Sequence, residues 1–305
     1  MSKPTIMVTG ANGQLGYELV RELSLLGNVL PVDIEELDMT QPDKIVKFMR
    51  DYKPNIVVNS AGYTAVDTAE DKSDFAMQVN GIAPGIIATE LKKSGGLMVH
   101  FSTDFAYDGN KTTPYNENDL VNPISIYAKS KVAGDNAILE SGVKHLIFRT
   151  SWIYGARGRN FLLTMLNMCK ERTELSVVND QFSAPTWSRA LASGVGLVLG
   201  QKQAYEPSAS GIYHITGGGQ ASWYEFAVQI AKYYEFKTDH RVAIFPVSTG
   251  EYPMKATRPK YSVLDNSKLN NTFGVIMPEW KLSFNHVMQD MGYNNPAKGI
   301  FPKLK

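Results

Sequence analysis

Up to Arg149 the chain alternates two kinds of segment. Short continuous apolar runs, Thr5 to Thr9, Val29 to Val32, Asn55 to Asn59, Leu97 to Ser102 and His145 to Arg149, are separated by longer stretches with apolar residues at three- and four-residue spacing. Apolar runs without polar alternation predict strands buried on both faces, hence a parallel sheet covered by helices on each side. The intervening spacing predicts helices over Gln14 to Leu26, closed by Gly27, and from an N-cap at Thr40, with Pro42 in the first turn, to about Tyr52. Two more are expected over Asp74 to Lys93, ending near Gly95 and Gly96, and over Tyr127 to Glu140, stopped by Gly142.

Beyond Arg149 the βαβ rhythm breaks, and Gly, Pro and Trp are scattered among shorter elements. Helices are expected over Phe161 to Glu171, Trp187 to Leu199 and Ser222 to Tyr234, with a strand near Gly211 to Ile215. The pattern divides the chain into a first unit of residues 1–152, to which about 186–217 return, and a smaller mixed C-terminal lobe of residues 153–185 and 218–305.

Composition narrows the partners. The 31 basic and 30 acidic residues nearly cancel and form no long run, which argues against nucleic acid or a membrane surface as partner. The single cysteine, Cys169, excludes an internal disulfide and reads as helix filler after the apolar run Phe161 to Met168. With no window near the roughly 20 apolar residues of a membrane span and no secretory pattern, the expected location is cytoplasmic.

The first strand is followed at once by Gly10-Ala11-Asn12-Gly13-Gln14-Leu15-Gly16, within which a helix opens. Glycines at a βα junction let backbone amides approach a pyrophosphate, and the helix N-terminus adds partial positive charge. The spacing G-x-x-G-x-x-G differs from the common G-x-G-x-x-G, and a tight strand-to-helix turn is the alternative reading. Asp33 closes the second strand, where a carboxylate accepts hydrogen bonds from the adenosine ribose and repels a 2′-phosphate. With no arginine in the loop or beside Asp33, NADH is the preferred cofactor and NADPH the alternative.

The reacting end is read from Tyr127 and Lys131. Y-x-x-x-K occurs three times, also at Tyr107 and Lys111 and at Tyr233 and Lys237, so spacing alone selects nothing. Tyr107 and Lys111 enclose the turn sequence Asp108-Gly109-Asn110, and Tyr233 and Lys237 end a helix unconnected to the nucleotide. Tyr127 and Lys131 share one face of a helix and follow Thr103, at the tip of the fourth strand, where ligands of open parallel sheets bind. A lysine near the phenol is expected to lower its pKa toward neutrality. Tyr127 then protonates the oxygen of a ketone that receives hydride, while the Thr103 hydroxyl holds the same oxygen.

Together the glycine loop, the Thr after the fourth strand and Y-x-x-x-K resemble the extended short-chain dehydrogenase/reductase superfamily. The segments GANGQLG, NSAGYTAVDTAE, STDFAYDG, NPISIYAKSKVAGD, FRTSWIYG, NDQFSAPT and RPKYSVLD resemble the dTDP-4-dehydrorhamnose reductase family from Ile6 to about Trp280. The resemblance implies a Rossmann-type doubly wound parallel sheet with a smaller mixed substrate lobe. It also implies NAD(P)H-dependent reduction of the 4-keto group of dTDP-4-dehydro-6-deoxy-L-mannose, for cell-surface polysaccharide synthesis. Tyr127 is then the proton donor, Lys131 also binds the nicotinamide ribose, and Thr103 polarises the keto oxygen. Asp38 and Met39 flank the adenine, and Ala61, Gly62 and Tyr63 line the cofactor. Val66, Thr103, Asp104, Trp152 and Asn160 meet the sugar or its nucleotide, with the Trp152 ring against the deoxysugar. Arg258 pairs with the substrate diphosphate, or else serves at the surface or a helix end.

Phe105 and Gly62 depart from the family's usual Tyr and Ala, which bears on the shape of the sugar pocket. Family members differ in dimer formation and in Mg²⁺ at the dimer contact, so a homodimer and Mg²⁺ stay open and no metal ligands are assignable. The rivals are a reductase or epimerase of another nucleotide-linked 4-ketohexose and a non-catalytic regulatory subunit on this fold. A 4,6-dehydratase, whose family uses an Asp-Glu pair after the threonine, fits poorly with Asp104-Phe105.

Overall fold

The computed structural model describes residues 3–294; the end of the expected C-terminal lobe, 295–305, lies outside them. Six strands, β1 (Thr5–Thr9), β2 (Asn28–Val32), β3 (Ile56–Asn59), β4 (Leu97–Thr103), β5 (Lys144–Thr150) and β6 (Gly211–His214), form one sheet in the order β6-β5-β4-β3-β1-β2. Every pairing in it is parallel.

The alternation along each strand explains the two layers of helix. Ile6, Val8, Ile56, Val58, Val99 and Phe148 point to one side, where they pack with α1 (Gln14–Leu23) and, later in the chain, the helix Ser188–Leu199. Met7, Val57, Met98 and Ile147 point to the other and meet α2 (Pro42–Tyr52), α3 (Ala83–Lys93) and α4 (Ile126–Ser141). A second core joins α5 (Phe161–Glu171), α7 (Trp223–Thr238) and α8 (Trp280–Asp290), with Ser188–Leu199 as α6. Cys169 lies in this second core, fully buried, and burial raises its thiol to about 11.

Several boundaries differ from expectation, among them the helix expected to end at Tyr234, which runs to Thr238, and three departures have clear local reasons. α1 stops at Leu23 rather than Leu26, because Leu26 N and Gly27 N turn back onto Leu23 O. The N-cap of α2 is Gln41, not Thr40, whose hydroxyl and amide both donate to Asp38 Oδ1. The expected single helix Asp74 to Lys93 is interrupted by a π-helical turn, Gln78–Ile82, between Ser73–Met77 and α3. Pro84 lacks an N–H for the α-helical ladder there, and Asn80 of the widened turn hydrogen-bonds the backbone N–H and C=O of Tyr63 and the Ser130 hydroxyl.

Candidate active site

From β1 the chain winds outward to β2 and then returns to place β3 on the other side of β1, which opens a crevice at the carboxyl ends of these strands. Gly10 turns there with φ +65, and a Cβ on it would stand 2.9 Å from the backbone of Ala61. A Cβ on Gly16 would stand 2.0 Å from Gly10 O, so close backbone approach explains both glycines. α1 opens at Gly13 with no side-chain cap, which leaves its first-turn amides for an anionic ligand. Asp33 Oδ2 accepts from Asn12 N at 2.7 Å and fixes the loop to the end of β2.

The crevice holds a cavity of about 350 Å³. Of the expected cofactor residues, Gly10, Gly13, Asp33, Asp38, Met39, Ala61, Gly62 and Tyr63 line it, together with Ile34, Leu37, Phe75 and Val79, which sequence reasoning missed. Asp38 is held by Thr40 and by Gln41 Nε2, bonds that keep its carboxyl below the usual range and present Met39 to the cavity. Phe75 meets Tyr63 edge-on at 5.1 Å. These apolar walls suit a flat base, and the glycine loop at the other end suits its diphosphate, so the residues present fit a dinucleotide.

The reacting pair stands beside this cleft. Ser125 caps α4 by accepting from Ala128 N at 3.2 Å, and Gly142 ends it at φ +66, so Tyr127 and Lys131 lie one turn apart on its inner face. Gly62 links the two ends of the site: a Cβ there would lie 3.9 Å from Lys131 Nζ. The Thr103 hydroxyl accepts from Phe105 N at 3.1 Å and donates to Asp104 Oδ1 at 3.3 Å; it faces the Tyr127 phenol, against which the Phe105 ring packs edge-on at 6.3 Å.

The electrostatics correct one expectation. Burial pushes the Tyr127 phenol up to about 12, Thr103 opposes the rise, and the Asp104 and Asp135 carboxylates add to it. Lys131, only 5 % exposed, is itself held down to about 8 by burial, against the attraction of Asp135. The phenol is therefore a protonated group at neutral pH, not one drawn toward the phenolate.

The other two Y-x-x-x-K pairs are occupied elsewhere. The Tyr107 phenol joins Arg149 and His214, while Lys111 pairs with Asp119; Tyr233 bonds Asn285, and Lys237 lies over the Tyr293 ring.

The expected substrate residues are placed unequally. Trp152 follows β5 with φ +40, a strained backbone for a bulky residue, and its half-buried ring stacks on Trp223 at 3.4 Å between centroids. Asn160 is the N-cap of α5, accepting from Leu163 N at 3.1 Å, and its Nδ2 donates to Gln14 Oε1, Gly155 O and Arg157 O. Its polar atoms thus tie the loop before α5 to the glycine loop. That loop also brings Arg157 over the Tyr17 ring at 3.5 Å, a cation beside the start of α1 that no local pattern announces. Asp104 is buried and accepts from Ser183 Oγ (3.0 Å) and Ser262 Oγ (2.5 Å), which joins the β4 tip to the C-terminal lobe; burial raises it to about 6. Val66 is half-buried and opens the short helix Val66–Ala69. Arg258 reaches that helix, donating to Asp67 Oδ2 at 2.6 Å and Oδ1 at 3.3 Å.

Among the described residues, no group of three or more His, Cys, Asp or Glu is arranged to hold a metal, and no helix is long and apolar enough to cross a membrane.

A doubly wound parallel sheet, a capless helix N-terminus behind a glycine loop, and a Thr-Tyr-Lys set beside it define a Rossmann-type nicotinamide-dependent oxidoreductase of the short-chain class. The family model described as RmlD substrate binding domain matches residues 4–293. A dTDP-4-dehydrorhamnose reductase of Burkholderia thailandensis is 44% identical over 94% of this chain and 98% of its own length. Among solved structures, a dTDP-4-dehydrorhamnose reductase of Clostridium acetobutylicum superposes with a TM-score of 0.88 at 40% identity, over 94% of this chain and 99% of that one. That of Bacillus anthracis, in complex with NADP, gives 0.86 at 36% over the same shares of the two chains. The chain belongs to the dTDP-4-dehydrorhamnose reductase family of NAD(P)H-dependent oxidoreductases.

Proposed function

We propose that this chain reduces the 4-keto group of dTDP-4-dehydro-6-deoxy-L-mannose to give dTDP-L-rhamnose for surface polysaccharide synthesis. The observation that carries the chemistry is a half-buried, protonated Tyr127 phenol that faces Thr103 and stands one helical turn from the buried Lys131. The nicotinamide, when bound, supplies the hydride. As negative charge develops on the ketone oxygen, Tyr127 donates its proton to that oxygen and Thr103 holds it by a hydrogen bond. Lys131, at the inner edge of the cleft, binds the nicotinamide ribose and offsets the negative charge left on Tyr127.

Gly10, Asn12, Gly13, Gln14, Leu15 and Gly16 hold the diphosphate of the cofactor, Asp33 its adenosine ribose, and Asp38, Met39, Ala61, Gly62 and Tyr63 its adenine and flanks. The fixed carboxylate of Asp33 favours NADH over NADPH. Residues 153–185 and 218–294 form the substrate lobe, with 186–217 returning to the cofactor domain. Val66, Asp104, Trp152 and Asn160 shape the sugar pocket, and Arg258 exchanges Asp67 for the substrate diphosphate. The protein works in the cytoplasm, as a monomer or homodimer.

The test is a spectrophotometric assay with a panel of nucleotide-linked 4-ketosugars and each cofactor. NADH oxidation is expected with dTDP-4-dehydro-6-deoxy-L-mannose. Reduction of another nucleotide hexulose instead, with no oxidation of either cofactor by this one, overturns the substrate assignment.

A further inference from the structure

Behind the reacting pair lies a buried polar array that the proposed reaction does not yet use. Asp135 stands one helical turn beyond Lys131 on the same face of α4 and is 0% exposed. Its Oδ2 accepts from Ser102 Oγ of β4 at 2.8 Å and from Arg149 Nη2 of β5 at 3.3 Å. Its Oδ1 has no hydrogen-bond partner among the described residues. His100 of β4 fills the space on that side: its Nε2 lies 3.4 Å from Lys131 Nζ and 3.9 Å from Asp135 Oδ1. Its Nδ1 meets Asn59 Nδ2 at 3.0 Å.

The charges around Lys131 are few. Burial and the lysine itself hold His100 well below its ordinary value, so it is neutral at physiological pH. Arg149 from β5 is a second cation, bonded on its far side to Tyr107, which meets His214 of β6. Asp104, from the turn after β4, faces Tyr127, and the π-helical turn offers only the neutral Asn80. Asp135 is therefore the carboxylate that acts on Lys131. A buried ammonium without such a partner discards its proton. Because Ser102 and Arg149 pin Oδ2, the carboxylate cannot swing up to close a direct pair, and it acts from a fixed distance through the neutral imidazole.

We propose that Asp135 is a positioning residue for the reduction: pinned by Ser102 and Arg149, it keeps Lys131 an ammonium at the strand tips, with His100 as the spacer between them. This rests on the reading of Tyr127 and Lys131 as the reacting pair. The test is a carbon-13 NMR titration of the lysine side chains, the Lys131 signal being assigned by its loss in Lys131→Met. In Asp135→Asn the Lys131 midpoint is expected to fall by about one pH unit or more. The high-pH limb of the kcat profile for ketone reduction moves down with it while KM for the nucleotide sugar holds, and Asp135→Glu restores both.

Should Asp135→Asn fail to fold with Arg149 stranded, the double variant Asp135→Asn, Arg149→Gln removes both charges, and the Lys131 midpoint is expected to fall in the same direction by a smaller step, because the more distant repulsion of Arg149 goes with the carboxylate. A Lys131 midpoint that stays at the wild-type value in these variants overturns the inference. Failure of the wild-type protein to oxidise NADH or NADPH with the ketone overturns the proposed function instead, a result the lysine titration does not depend on.

Discussion

Replacing Lys131 by methionine keeps an unbranched stem of similar length and removes a buried charge. The lysine titrates at about 8 in the fold against an ordinary 10.5, with burial as the main cause. The difference of roughly 2.5 units means that about 3 kcal/mol oppose the ammonium in the native state. The sign follows from proton counting. Below about 8 both states hold the proton and the penalty is complete; between 8 and 10.5 the unfolded chain holds more protons, so wild-type stability rises with pH. Above 10.5 both states are neutral and the penalty is gone. Methionine leaves Asp135 with Arg149 as its cation, so the gain is at most about 3 kcal/mol. Reversible urea unfolding of ligand-free protein is expected to show Lys131→Met more stable than wild type at neutral pH. The gap should close as the pH approaches that of free lysine, and turnover should be lost throughout. A variant no more stable at neutral pH, or a gap that does not change with pH, refutes the reasoning.

Gly16→Ala would drive a Cβ to within 2.0 Å of Gly10 O, and a backbone atom cannot move aside as a side-chain tip can. Calorimetry should show nicotinamide dinucleotide binding weakened at least about tenfold, or 1.4 kcal/mol, with the circular dichroism of the fold retained. Arg258→Ala removes the cation now held by Asp67. Steady-state kinetics should give a raised KM for the nucleotide sugar with kcat little changed; an unchanged KM would confine Arg258 to its ion pair.

Four of the five expected strands were legible because they are buried on both sides of a parallel sheet, and continuous apolarity is what such burial demands; the run Val29 to Val32 is instead an edge strand, with Pro31 exposed. The end of α4 was legible because Gly142 stops it, whereas its cap, Ser125, was a local signal left unread. The π-helical turn was not, since helical spacing is blind to one widened turn and its cause is the long-range bonding of Asn80 to Tyr63 and Ser130. At the site, the glycine loop and the Tyr127 and Lys131 spacing were local signals, whereas the rise in the phenol's pKa depends on packing that no spacing reports. Asp135 repeats the i, i+4 step from Lys131 and was open to discovery on the same helix face. His100 and Arg149 stood as ionisable residues within otherwise apolar strands, where a buried charge needs a partner. Phe75 reaches the cleft, and Arg157 the ring of Tyr17 on α1, through chain reversals that leave no local trace.

The central claim is that Tyr127 gives its proton to the 4-keto oxygen of a dTDP-linked deoxyhexulose. Its most direct test follows NADH absorbance with dTDP-4-dehydro-6-deoxy-L-mannose for wild type and Tyr127→Phe, which keeps the ring beside Phe105 and removes only the hydroxyl. Wild type should consume NADH, and the variant should lose about 10² to 10⁴ in kcat while still binding the cofactor. A Tyr127→Phe protein that turns over as fast as wild type would contradict the assignment.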